Sequence, residues 1–201
     1  MSEPLSIFLR AFIIGISIAA PVGPIGVLCI RRTLADGKLA GFLSGMGAAS
    51  ADIVYGAIAA FGLAAGTSLL VNNFIWMRLI GGVFLLYLGL KTFREEPTEH
   101  TAQTKRVSLL SMYLSTFFLT ITNPMTILAF AAIFAGTMLG EKMGSPLVIV
   151  AGVFVGSAVW WLTLSLGVGT MRERLTKTHM VWINRISGII IFVFGVFALA
   201  G

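Results

Sequence analysis

Charge is what this chain has least of. Of its 201 residues only 11% are Asp, Glu, Lys or Arg, against about a quarter in an average globular protein. Hydrophobic residues make up 57%, and the mean hydropathy is +0.96. So little charge cannot cover a soluble surface, which excludes a soluble enzyme domain. Cysteine is nearly absent too. Cys29 stands alone, which excludes an intramolecular disulfide framework and a Cys-clustered metal site. The sequence holds no HExxH, G-x-S-x-G, GxxxxGK[ST] or CxxC, so nothing points to an enzyme, a cofactor, a resident metal or direct ATP hydrolysis. Acids are scarcer than bases, 8 against 14. The resulting +6 would suggest nucleic acid in a soluble protein and cytoplasmic loops in a membrane protein.

What the chain does have is glycine, 23 residues of it, and long uncharged runs. Transmembrane helices use glycine to bring backbones close. A spanning helix needs about 20 mostly apolar residues. Residues 11–30, 107–140 and 143–171 carry no charge, and from Leu39 to Met77 the one charge is Asp52. Two shorter runs, 79–90 and 186–201, reach spanning length if Arg78 and Arg185 snorkel at their ends. The pattern predicts an all-α membrane protein with six helices, over 5–30, 40–65, 74–93, 108–136, 146–170 and 181–200. The start, Met1-Ser2-Glu3-Pro4, lacks a basic n-region, so helix 1 is expected to stay rather than be cleaved.

The basic residues divide unevenly. Arg31, Arg32, Lys38, Lys91, Arg94, Lys105, Arg106, Arg172, Arg174, Lys177 and Arg185 flank the first, third and fifth loops. Arg10, Arg78 and Lys142 lie on the other side. The positive-inside rule makes the first side cytoplasmic and puts both termini outside. The basic excess is thus a topology signal, and no nucleic-acid partner is expected. Helix 1, with its prolines, either crosses fully or re-enters.

The two halves resemble each other. Gly82 and Gly89 share their spacing with Gly188 and Gly195, and Trp76 precedes the first pair as Trp182 precedes the second. Gly45 and Ala49-Ser50-Ala51 match Gly152 and Gly156-Ser157-Ala158, and Pro24 matches Pro124. The shared order predicts a repeat: three helices over 1–93, a cytoplasmic linker over 94–106, and three helices over 107–201. An odd number of spans per unit makes the second unit insert upside down. Such inverted repeats characterise secondary transporters.

Two places in this frame are chemically unusual. Pro21, Gly23 and Pro24 should break helix 1, and Asn123-Pro124 should break or kink helix 4. Broken backbone is tolerated in a membrane only where protein or a polar cavity satisfies it. A half-helix N-terminus suits a substrate carboxylate. Pro21, Gly23, Pro24, Asn123 and Pro124 are therefore the candidate substrate-binding residues, with a packed kink as the alternative. Asp52 is the one acid well inside a span, where a carboxylate costs at least ~2.5–3.5 kcal/mol. It reads as the ion-coupling residue, a proton carrier or a counter-charge for a substrate ammonium. The alternatives are an ion pair with Arg10 or Arg78, or a neutral hydrogen bond to a neighbouring helix. Ser50, Tyr55, Thr120 and Thr122 are lesser candidates that more often act as interhelical glue. Gly41, Gly45 and Gly56 read as packing residues. His100 and His179 read as solvated.

These residues resemble the LysE/RhtB family of amino-acid exporters. Ala20-Pro21-Val22-Gly23-Pro24, then Arg31-Arg32 and Gly37, then a Gly-rich helix with Asp52, look like the N-terminal signature of the LysE-type translocators. Asn123-Pro124 resembles the second signature, with Met125 where the family usually carries Lys. The resemblance implies an inner-membrane secondary transporter exporting amino acids or related metabolites, driven by an ion gradient. Its partners would be a small-molecule substrate, a coupling ion (a proton by preference) and the lipid bilayer; a homo-oligomer stays open. The rivals are a metal-ion exporter, which usually wants several acids, His or Cys, a non-transporting assembly factor or membrane enzyme, and import instead of export.

Overall fold

A computed structural model describes residues 3–21, 23–61, 74–96, 108–123, 126–130 and 145–200. The long elements among them are all helices: α1 (Glu3–Ala19), α2 (Pro24–Asp36), α3 (Lys38–Ala60), α4 (Phe74–Arg94), α5 (Leu109–Ile121), α6 (Pro146–Gly169) and α7 (Lys177–Ala200). A short helical stretch covers 126–130, and a 3-10 turn covers Arg172–Arg174. Among the described residues the chain is all helical, consistent with the expected all-α membrane protein.

Local chemistry explains the helix ends. The first expected span is two helices, α1 and α2, bent by 80° at the break. The second runs on to Asp36, past the expected boundary near residue 30. The loop expected there shrinks to Gly37, whose φ of 103° suits glycine alone and whose N–H closes α2 on the Thr33 carbonyl. Pro146 opens α6 at a position where its missing N–H costs nothing. α7 starts four residues before the expected 181. Thr176 N–H donates to His179 Nδ1 at 3.2 Å, and His179 N–H donates to Thr176 Oγ1 at 3.3 Å. This is a capping box with His in place of the usual Glu or Gln. His179 is exposed, as expected, but it has this work.

α6 and α7, with 24 residues each, rise about 36 Å and exceed the ~30 Å hydrocarbon core. Among the described residues these two are long and apolar enough to span singly, and α1 with α2 passes as a bent pair. α5 has 13 residues and is apolar. The outer surface is greasy: Trp76, Ile80, Val83 and Tyr87 on α4 and Ile186, Ile189, Val193 and Phe197 on α7 are exposed. The interior holds Ser44, Asp52, Thr116, Asn123, Ser157 and Asn184. That distribution inverts a soluble protein's and is the arrangement a bilayer demands.

α3 lies between α5 and α6 and also packs on α2, while α1 runs along α6. α4 and α7 pack on each other along their lengths. Glycines allow these contacts. A Cβ on Gly15 would sit 2.2 Å from the Val153 carbonyl oxygen, and one on Gly47 2.2 Å from that of Tyr113. Gly41 packs on Thr33 and Gly45 on Trp161, while Gly56 has room to spare.

Candidate substrate site

The first break leaves an open corner at Gly23. Gly23 is the N-cap of α2 with extended backbone (φ −111°, ψ −167°), and Pro24 follows at the first helical position. The Val27 N–H donates to the Gly23 carbonyl at 3.0 Å. Its N-cap, Gly23, supplies no side-chain cap, so the N–H groups of its first turn keep a partial positive charge. A Cβ built on Gly23 meets nothing within 4 Å. Pro24 is buried, Gly23 is half-buried and Pro21 is exposed.

The second break repeats the arrangement. α5 ends at Ile121, and the Thr126 and Ile127 N–H groups donate to the Asn123 carbonyl at 3.1 and 3.2 Å. Asn123 thus caps the next helical stretch as Gly23 caps α2, each followed in sequence by proline. Asn123 is buried. Pro124 and Met125 lie outside the described residues, as does Val22.

Asp52 is 3% exposed on α3. Ser157 Oγ on α6 donates to its Oδ2 at 2.7 Å. A hydrogen bond to a neighbouring helix, one of the structural alternatives for Asp52, is thus present. One turn on, Tyr55 donates its hydroxyl to the Ile121 carbonyl, one of the groups left open where α5 stops. Its ring lies 5.2 Å from that of Phe130 beyond the break. α3 therefore touches α6 through Asp52 and the second break through Tyr55. Apolar clusters bring the breaks to the same stretch of α3. Ala19 and Ile25, flanking the first, cluster with Ala48, Ala49 and Leu119. Ile121 and Ile127, flanking the second, cluster with Tyr55 and Ile18.

The lesser candidates divide. Ser50, Thr120 and Thr122 donate to carbonyls of their own helices, on Met46, Thr116 and Phe118. Only Tyr55 among them reaches another helix by a hydrogen bond the structure gives. Ser157 had been legible as part of the repeat but not as the partner of Asp52. Arg31, Arg32 and Asn184 carried no signal as structural residues, yet all three are buried and bonded.

A bundle of greasy helices around a polar core, with two helix breaks packed on the helix that carries a buried carboxylate, has the build of a membrane translocator. The chain belongs to the LysE type translocators, whose family model matches residues 16–201. It is similar to "Putative amino acid efflux protein YcgF" of Bacillus subtilis (strain 168), 28% identical over 95% of this chain and 94% of the relative. It is also similar to "Uncharacterized membrane protein YahN" of Escherichia coli (strain K12), 30% identical over 85% of this chain and 77% of the relative. No solved structure matches it. The chain is thus an integral membrane protein of a translocator family.

Proposed function

We propose that this chain is an inner-membrane secondary transporter that carries amino acids or related small metabolites out of the cytoplasm, coupled to a proton gradient. The N-terminus of α2 at Gly23, an N-cap without a side-chain cap, carries the reading. It offers backbone N–H groups and open space to a substrate carboxylate. Pro21, Gly23, Pro24, Asn123 and Pro124 form the substrate site. Asp52 carries the proton or meets the substrate ammonium, and exchanges it as the two halves rock. The efflux described in the name of the Bacillus relative supports the substrate class.

The inverted repeat belongs to the same proposal, with units 1–93 and 107–201 joined by 94–106. Reciprocal contacts support it. Gly82 faces Gly195 and Gly89 faces Gly188, so exchanging the matched glycines of α4 and α7 turns one contact into the other. Likewise α1 lies along α6 as α5 lies along α3. Both exchanges fit a two-fold axis in the membrane plane. The flanks of loops one, three and five meet at one end, where Arg31 pairs with Glu95 and Arg172 reaches Leu34 and Ala35. That supports a shared cytoplasmic side and both termini outside.

The test is counterflow in proteoliposomes with a panel of amino acids. At least one should exchange in the parent, and Asp52→Asn should abolish gradient-driven export while the protein stays folded. No signal from any amino acid removes the substrate class. Normal export by the variant removes the coupling role.

A further inference from the structure

We propose that α2 is a strap between two helix bodies, and that its Arg31–Glu95 ion pair latches one end of the transport path. One body is α4 with α7. The other is α1, α3, α5 and α6. Among the described residues α4 and α7 meet the rest chiefly through α2, which packs on α3 and on α7, with a smaller contact where Gly81 lies against Thr122.

Neighbouring residues on a helix point about 100° apart, so two adjacent arginines can reach two bodies. Arg32 turns to α3 and α5. Its Nη1 donates to Ser44 Oγ, the Met112 carbonyl and Thr116 Oγ1, each at 2.9 Å, and its Nη2 to Ser115 Oγ at 2.8 Å. Arg31 turns to the other body. Its Nη2 lies 2.7 Å from Glu95 Oε2 just past α4, and its Nε donates to Asn184 Oδ1 on α7 at 2.9 Å. Asn184 Nδ2 in turn donates to the Glu95 carbonyl at 2.9 Å. Arg172 closes the end of α2 by donating to the Leu34 and Ala35 carbonyls.

The two arginines are held unequally. Arg32 is 8% exposed, and its four acceptors lie among buried or half-buried groups, so releasing it would strand a desolvated charge. Arg31 is buried too, at 6% exposed, and bonded to buried Asn184, but the carboxylate that pairs with it is 45% exposed, where water competes for it. The strap therefore stays with α3 and α5 and parts from α4 and α7 at Arg31–Glu95. Parting opens the seam along α2, the helix whose other end faces the open corner at Gly23. In the exporter reading, on which this purpose rests, that seam admits substrate from the cytoplasm.

The chain carries its own reporter. Cys29 is its one cysteine, fully buried on α2 two residues before Arg31. A maleimide reacts with the thiolate, so the rate of labelling follows the access of water and reagent. The experiment labels the full chain in proteoliposomes with N-ethylmaleimide. Glu95→Gln, which keeps the side chain's size, should speed labelling about fivefold, and E95R should speed it further. The swap R31E/E95R should return the rate toward the parent's, while K91Q, an exposed change on α4, should leave it alone. Parent-like labelling of both E95Q and E95R overturns the latch, as does a swap that stays as open as E95R. Amino-acid counterflow in the same proteoliposomes separates the two proposals. Labelling that follows the ion pair without any flux removes the exporter reading and keeps the strap. Flux with labelling indifferent to the pair removes the strap alone.

Discussion

Asp52 and Ser157 show what one buried pair of residues can do here. The carboxylate is nearly sealed from solvent and accepts the Ser157 hydroxyl. Ser157→Ala should lower stability by about 1 kcal/mol, because it leaves a buried acceptor without its donor. Asp52→Asn should cost less, since Ser157 can still donate to the amide oxygen. Thermal unfolding in detergent, followed by circular dichroism, ranks the two. If the asparagine variant is the less stable, the carboxylate is chiefly structural. Asp52 stood out in the sequence because a charge inside an apolar run is conspicuous. Ser157 did not, because a helical serine can always bond its own backbone, as Ser50 does with Met46.

Glycines give the sharpest tests among the helices and their joints. Gly37 carries φ 103°, and a Cβ there would also meet Arg172 Nη1 at 3.3 Å. Gly37→Ala should cost about 1–3 kcal/mol by thermal unfolding. Gly167, in α6, has nothing within 4 Å of a built Cβ, so Gly167→Ala should add about 0.5–1 kcal/mol by removing backbone freedom from the unfolded chain. Gly23→Ala discriminates function from fold. With open space around it, the methyl should leave the melting temperature within a degree or two (an effect of about 0.5 kcal/mol or less) and reduce amino-acid flux. Unchanged flux would show that Gly23 does not border the substrate. Proline and glycine marked both breaks in the sequence because a missing N–H is a local property. How far α2 continued was not legible, because Arg31 and Arg32 look like loop charges until their partners are present.

The whole molecule is organised by close helix pairs. Gly89 and Gly188 belong to a single contact between α4 and α7: a Cβ on either would meet backbone nitrogen at 2.6 Å. Gly89→Ala and Gly188→Ala should each destabilise the pair by roughly 1–3 kcal/mol, and together by less than their sum, because the first separation makes room for the second. Additive losses in a double-mutant unfolding cycle would mean that the two sites do not share one interface. The matched glycines were visible in the sequence as a repeated spacing. That they meet crosswise, Gly82 with Gly195 and Gly89 with Gly188, is a fact of packing.

By itself the sequence determined that this chain lives in a membrane, where its polar exceptions lie and where its backbone must break. Hydropathy, charge and the lost hydrogen bond of proline act over a few residues and need no fold to be read. Only the tertiary structure decided which hydroxyl meets Asp52, 105 residues away, and that Arg31 reaches Asn184, 153 residues away. Those partners depend on which helix faces share a seam, and many apolar faces in this chain are alike. The scarce charges were visible from the start; packing assigned Arg31 and Arg32 to different sides of one short helix.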